Sequence, residues 1–599
     1  MLGFPKSAVS DIAFLTERLN GAPARKLRTH EWEGGDYWLY STDRIGKQPA
    51  GECCYQDNRW ILLFEGDLIS HPDVPWKHII DILNDGSFSQ LSELVGIWAL
   101  AAIDKASGDI YLVSDHLSEY PFFYSLIGNH LGFSTELHMF CRLTERAEFN
   151  RSWLHHCLLL QYPIGDSTYI EGVRRLPTGS VLIFRDSRLS IFKYREEFRR
   201  APVLKAGCEA LYHAFQVFDS ELCNYPANDG DWAMGLTAGF DARTVLAFTI
   251  EQNPLTYTYG SPGCSDIRVA REAAKRLGLR HKTIPFDQRF ESAFEDLLID
   301  VVYLSGGLEN PSRAALLHCY RTITKDGTRF PVIASGIGLD SMFRGHLGPA
   351  LVSPLLAGHF RGEKEVDISP IVADMVLDKQ ALYSDSEKAI DYLQSRYGPL
   401  DQSAAHLLYF IYETAPKYFG GEVSLARNFT TLRIPALNPH IIDLALSIEK
   451  GALSFSNFLA THKRDSFVEK ELQAFLLSKA SGGRMGWLPV YDVPPNIFCY
   501  GETAYNLARM FASFRRLSSR VLMNTKRPAA LQQNIRLYRT VAADRVLELL
   551  YSETTRVATH VNVPEFDILV TAENQHLFKM LLAAEIIMRL IESRWTRFW

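Results

Sequence analysis

One arrangement occurs twice in this chain and restricts its fold more than any other: a short apolar run, a small-residue turn, then a helical stretch. Trp232-Ala233-Met234-Gly235-Leu236 leads into Thr237-Ala238-Gly239-Phe240-Asp241-Ala242, and a helical pattern runs on from Arg243 to Ile250. Val332-Ile333-Ala334 leads into Ser335-Gly336-Ile337-Gly338-Leu339-Asp340. Between them, Thr256-Tyr257-Thr258-Tyr259 reads as another strand, and Asp266 to Leu277 as a helix with alanines and paired charges. Strand–helix alternation predicts a parallel sheet with helices on both faces. Such sheets bind ligands at the carboxyl ends of their strands, where both turns lie. Small residues let the backbone approach an anion, and N–H groups at a helix start face a phosphate. Asp241 and Asp340, one per turn, are placed to share a Mg²⁺. Alone, the first turn reads equally well as a tight turn capped by Asp241; the second turn shifts that balance.

The rest of the chain is organised differently. Trp60–Phe64, Asp109–Val113 and Ser180–Phe184 are short apolar runs bounded by Gly, Asp or Ser, which predicts sheet packed on sheet between about Arg59 and Phe184. The pattern changes near Phe198 to Ala206. From about Gln402 it is mostly helical, and His576 to Trp599 carries apolar positions at helical spacing. The predicted domains are 1–200, 205–500 and a helical extension, 501–599.

With 599 residues and a net charge of -6, no long run of one sign points to nucleic acid or an anionic membrane surface. No apolar stretch reaches the ~18 residues needed to span a bilayer, and no secretory signal opens the chain, so a cytoplasmic protein is expected. The nine cysteines form no CxxC pair, which argues for buried thiols rather than a zinc site or disulfides.

The ordered motifs resemble a known family. Residues 236–243 are similar to the SGGxDS pyrophosphate loop of ATP-pyrophosphatase domains, and 335–346 (SGIGLDSMFRGH) to the SGEGxDExFxGY element of asparagine synthetases. Thr258 and Tyr259 fall on that family's adenine-side strand, and Leu432 to Asn438 resembles its RVPFLD segment. Gly96 to Asp104, Asp115 to Tyr124, Phe133 to Leu137 and Gly172 to Gly179 resemble its glutaminase half. The resemblance runs from about Arg59 to Pro489, and nothing in the last ~100 residues carries it. It implies an α+β, glutaminase-like (Ntn-type) β-sandwich domain, then an α/β ATP-pyrophosphatase domain with a helical C-terminal extension. It further implies an ATP- and Mg²⁺-dependent ligase. The nucleotide would be held by Leu236, Thr237, Ala238, Gly239, Phe240, Asp241, Ala242, Thr258, Tyr259, Ser335, Gly336, Ile337 and Gly338, and the metal by Asp241 and Asp340.

Several positions depart from the family's pattern. Glutamine-using members carry a nucleophilic cysteine after the initiator methionine; Leu2 stands here, and no cysteine precedes Cys53. Glu65-Gly66-Asp67 replaces an NGE element whose amide would donate to an oxyanion. The expectation is that glutamine is not hydrolysed. Ile337 replaces the Glu of asparagine synthetases and the Tyr of β-lactam synthetases, and can neither accept a proton nor hydrogen-bond. Ala238, Ala242 and Ser341 are further departures.

Arg484, in a stretch similar to KxGFxP, stands where a lysine steadies the acyl-adenylate; a plain surface arginine is the competing reading. Glu309 resembles a substrate-side glutamate, against a simple helix-start charge. Among ammonia-independent relatives, the missing tyrosine and the C-terminal extension favour a lasso-peptide macrolactam synthetase. Its partners would be a precursor peptide and a leader-removing protease. The alternatives are a β-lactam-type or other small-molecule amide synthetase, and an inactive nucleotide- or peptide-binding scaffold.

Overall fold

The computed structural model describes residues 1–5, 25–30, 37–44, 54–71, 73–143, 147–195, 204, 208–223, 225, 232–324, 332–344, 355–356, 368–398, 402–448, 472–490, 493–500, 507–508, 510–511, 530–571 and 573–596. The first region holds β1 (Leu2–Pro5), β2 (Arg25–His30), β3 (Tyr37–Arg44), β4 (Cys54–Gln56), β5 (Trp60–Leu68), β6 (Gly96–Asp104), β7 (Ile110–Ser114), β8 (Phe123–Ile127), β9 (His130–Ser134), β10 (Arg174–Arg175), β11 (Ser180–Arg185) and β12 (Arg188–Lys193). They form two antiparallel sheets, ordered β10-β8-β9-β1-β3-β2 and β12-β11-β7-β6-β5-β4.

The period of two along a strand explains the layering. Ile61 and Leu63 of β5, with Ala99, Ala101 and Ile103 of β6, join the core between the sheets. Trp60, Leu62 and Phe64, with Trp98 and Leu100, face the other way. They pack on Ile79, Ile82 and Leu83 of α1 (Trp76–Asp85). The second sheet is therefore covered on both faces, so its strands read as continuous apolar runs.

Helix α2 (Arg151–Leu160) is capped by Asn150, whose side chain accepts from the amides of Ser152 and Trp153. The second region is built on β13 (Ala233–Gly235), α3 (Phe240–Thr249), β14 (Leu255–Gly260), α4 (Ser265–Leu277), β15 (His281–Pro285), α5 (Gln288–Leu304), α6 (Ala314–Thr324), β16 (Val332–Ala334), α7 (Leu339–Arg344), α8 (Lys379–Tyr397), α9 (Ala415–Ala426) and β17 (Thr431–Arg433). The sheet is wholly parallel, in the order β15-β14-β13-β16-β17. Ala233, Met234 and all three residues of β16 are completely buried, as a two-sided cover demands. After Gln402 the described elements are mostly helical, as expected, and β17 is a three-residue strand among them.

The last helix, α10 (Gln575–Glu592), packs against both α2 and α5, so the C-terminal extension touches both regions. Among the described residues no helix is long and apolar enough to cross a membrane.

Candidate functional site

The chain leaves β13 toward one side of the sheet, to β14, and returns on the other side, to β16. The strand order thus reverses between β13 and β16, and a crevice opens beyond their carboxyl ends. Both small-residue turns emerge there. A Cβ on Gly336 would lie 2.5 Å from Cα and N of Ala242 and 2.6 Å from C of Asp241. The second turn thus rests directly on the first turn of α3, and only a glycine permits that approach. Gly338 takes φ +93 and faces the Phe419 ring, where a Cβ would sit at 3.0 Å.

The first turn is fastened from three sides. The amide of Leu236 donates to the Tyr257 carbonyl (2.7 Å), and Thr258 Oγ1 donates to the Leu236 carbonyl. Ala238 N donates to Asp266 Oδ1 (3.1 Å) and Gly239 N to Thr237 Oγ1 (3.3 Å). Arg243, almost fully buried, sends Nε to the Thr237 carbonyl (3.3 Å) and Nη1 to the Leu488 and Pro489 carbonyls (3.3 and 2.8 Å). Across the crevice, Ser335 N donates to the Arg433 carbonyl (2.9 Å) and Ile337 N to Ser335 Oγ (3.3 Å).

The expected residues separate at this point. Thr237 is exposed, Phe240 and Ala242 are buried, and Thr258 lies behind the turn with its hydroxyl already used. Tyr259 is 37% exposed, at the end of β14. Asp241 stands in the first turn of α3 and accepts from Gln473 Nε2 at 2.7 Å. Asp340 lies in α7, and its side chain falls outside the described residues. The hard carboxylate of Asp241 at a helix start, beside small residues, suits a phosphate-bound Mg²⁺.

Arg484 is exposed at the surface. Its guanidinium pairs with Glu251, just past the far end of α3. Eight residues of helix separate that end, Thr249, from Asp241, about 12 Å at ~1.5 Å per residue. The 484–489 stretch does reach the turn, but through the two carbonyls held by Arg243. Neither Arg243 nor Gln473 carried a local signal in the sequence; the fold alone brings them in.

Glu309 is buried, in the loop after α5. Arg313 Nε stands 3.6 Å from its Oε2, and Arg313 Nη2 stands 4.0 Å from Oε2 of Glu422 on α9. The Arg313 guanidinium also covers the Tyr418 ring, 4.5 Å from its centre, and Tyr320 donates to Glu422 Oε1 at 3.4 Å. Burial pushes the Glu309 carboxyl up to about 7, with Arg313 pulling the other way. Helix α9 links this cluster to the crevice, with Phe419 against Gly338 of the second turn and Gly421 against Glu309.

In the first region, Leu2 is buried in β1. Glu65 accepts from Thr135 Oγ1 (2.8 Å) and Tyr120 OH (3.3 Å) and pairs with the Met1 amino group. Asp67 holds a bidentate pair with Arg433 of β17, at 2.6 and 3.1 Å, with both partners buried. The second acid of the Glu65-Gly66-Asp67 element is therefore an inter-domain tether.

Comparison with known proteins accords with this architecture. Residues 79–195 match the glutamine amidotransferase domain family, and residues 228–356 match the asparagine synthase family. A Methanocaldococcus jannaschii protein named as a glutamine-hydrolysing asparagine synthetase is 22% identical over 259 residues, covering 37% of this chain and 49% of that protein. A glutamine-hydrolysing asparagine synthetase of Bacillus subtilis is 20% identical over 327 residues, covering 50% and 49%. The chain spans about half the length of the curated relatives it matches. A solved glutamine phosphoribosylpyrophosphate amidotransferase from B. subtilis aligns at 13% identity and a TM-score of 0.20, over 42% of this chain and 51% of that one. The fold is an N-terminal Ntn-type glutamine amidotransferase domain followed by an asparagine synthase, ATP-pyrophosphatase-type domain.

Proposed function

We propose that this chain, which joins a glutamine amidotransferase domain to an asparagine synthase domain, is an ATP-dependent amide synthetase that draws its amine from a source other than glutamine. The observation that carries this reading is the crevice where Gly336 rests on the Asp241–Ala242 backbone, so that two phosphate-type turns face one space. A carboxylate oxygen attacks the α-phosphorus of ATP, the bond to the β-phosphate oxygen breaks, and pyrophosphate leaves. Small residues at 238, 239 and 242 give the leaving pyrophosphate close access to backbone N–H groups. Asp241 and Asp340 would hold Mg²⁺, which neutralises charge on the phosphates when bound. An amine then attacks the acyl carbon, and AMP departs with the electrons of the broken C–O bond.

Independence from glutamine is supported by Leu2 in place of a thiol and by the engagement of Asp67 with Arg433. This sets the chain apart from its glutamine-hydrolysing relatives. Ile337, which offers no proton acceptor, and the extra C-terminal helices favour a peptide as substrate. The product is then a macrolactam formed between an Asp or Glu side chain and the peptide's own N-terminal amine, as in lasso peptides. A precursor peptide and a leader peptidase are the corresponding partners.

Pyrophosphate exchange into ATP tests the proposal. Exchange is expected with peptides that have a free N-terminal amine and an internal Asp or Glu, and not with small β-amino acids. Asp241→Asn should reduce it by about 100-fold or more. Exchange driven by β-amino acids alone would instead assign a small-molecule synthetase. The two turn amides already bound to Asp266 and Thr237 favour a second reading, a scaffold that holds nucleotide without turnover. Nucleotide binding with no exchange for any carboxylate would select it.

A further inference from the structure

Asp241 is held from a point far along the chain. Gln473 lies in the helical stretch 472–480, is 1% exposed, and gives Nε2 to Asp241 Oδ1 at 2.7 Å. The other end of the same carboxamide, Oε1, is buried and has no hydrogen-bond partner among the described residues. Its neighbours Leu472, Ala474, Leu476 and Leu477 are all buried. In such surroundings a methionine would cost less than an amide with one idle end. The amide therefore does not serve the packing, and its one bond goes to Asp241.

The kind of donor matters as well. A carboxylate has two oxygens and about four acceptor positions, and Gln473 uses one of them. A lysine or arginine in its place would fix the carboxylate but also neutralise it, and would repel a divalent cation. A neutral amide sets the orientation and leaves the full negative charge, as suits a carboxylate that ligates a metal. The support is rigid. Phe475 meets Tyr212 edge-on at 5.4 Å, and the Lys479 ammonium stands 4.7 Å from the centre of Tyr212 and 4.9 Å from that of Phe215. Both rings belong to the Cys208–Leu222 helix, which packs on α3 itself. Gln473 and Asp241 are thus held in one frame, although Gln473 lies beyond both segments matched to known families.

We propose that Gln473 is a positioning residue for magnesium-nucleotide binding: it pre-sets the Asp241 carboxylate without cancelling its charge. The assignment rests on Asp241 as the magnesium-side carboxylate of the crevice and adds the residue that orients it.

Calorimetric titration of the full chain with α,β-methylene-ATP, in Mg²⁺ and in EDTA, tests this. Wild type should bind the analogue more tightly in Mg²⁺. Gln473→Met should lose about tenfold in Mg²⁺ and be unchanged in EDTA. Its denaturant unfolding midpoint should not fall, because an orphaned acceptor has been removed. Asp241→Asn should lose the Mg²⁺ effect at least as far, and adding Gln473→Met to it should cause no further loss. Four results would each overturn the assignment: wild-type binding indifferent to Mg²⁺, Gln473→Met binding as wild type, equal weakening in Mg²⁺ and EDTA, or additive losses in the double variant. A lower midpoint with Mg²⁺-dependent binding intact would mark a structural glutamine. Pyrophosphate exchange keeps the two proposals apart. Metal-dependent binding that answers to Gln473 without exchange sinks the ligase reading alone, whereas exchange in wild type with Gln473→Met binding normally sinks the positioning role alone.

Discussion

At the scale of single residues, position in the fold has altered what several side chains do. Asp67 sits in an element that resembles an oxyanion-side motif, yet its carboxylate is taken up by Arg433. Removing one partner of a buried pair strands the other charge, at about 3–5 kcal/mol. Asp67→Ala should therefore lower the unfolding midpoint in denaturant accordingly. The Asp67→Ala, Arg433→Met double variant should recover part of the loss, and a double-mutant cycle measures how much. Glu309 gives a pH signature. Its carboxyl is raised from the ordinary 4.5 to about 7 in the folded chain, so between those values the native state binds more protons than the unfolded one. Stability from this group is therefore present at low pH and declines as pH rises toward 7, by at most ~1.4 kcal/mol per pH unit. Thermal unfolding of wild type and Glu309→Gln from pH 4.5 to 7.5 should show the difference between them changing in that direction.

At the scale of elements, the legible parts were those whose local chemistry agrees with their final environment. Strands β5, β7 and β11 are buried on both faces and announce themselves as apolar runs. Strand β2 carries Arg25, Lys26 and Arg28 and has no such run, whereas β3 opens on the apolar run Tyr37-Trp38-Leu39-Tyr40 before Asp43 and Arg44. β structure was read only from Arg59 onward, and the short apolar runs of β1 and β3 before it were passed over. Strand β17 is three residues long, inside a helical stretch, and exists because β16 offers it an edge. The two turns were found because a strand, small residues and a helix follow one another locally. Arg243 and Gln473 were missed as partners, because what they bind is set by tertiary approach. Gly336→Ala tests the contact between the turns. The added methyl falls within 3 Å of backbone that has little freedom to move, so nucleotide affinity should fall by about tenfold or more while circular dichroism keeps the native spectrum. An independent check on element ends is Asp287, which caps α5 by accepting from the amides of Arg289 and Phe290. Asp287→Ala should cost about 1 kcal/mol in denaturant unfolding and leave activity intact.

At the scale of the whole molecule, the C-terminal extension works as a bracket between the two domains. Trp595 is completely buried, stacked between His138 (5.2 Å) and Tyr169 (5.9 Å) of the first domain. Its indole Nε1 donates to the Tyr303 carbonyl at the end of α5. Trp595→Ala should destabilise the chain by about 3–5 kcal/mol, seen as a lower unfolding temperature and easier proteolysis between the domains. No motif foretold this bracket, because its function is carried by shape rather than by reactive groups.

Arg433 ties the two domains to a common fate. Its carbonyl receives the amide of Ser335, while its guanidinium reaches into the neighbouring domain to Asp67. One residue thus anchors the rim of the crevice with its main chain and a foreign sheet with its side chain. Deleting the sheet that carries Asp67 would therefore strand the Arg433 guanidinium and loosen the strand whose carbonyl holds the second turn.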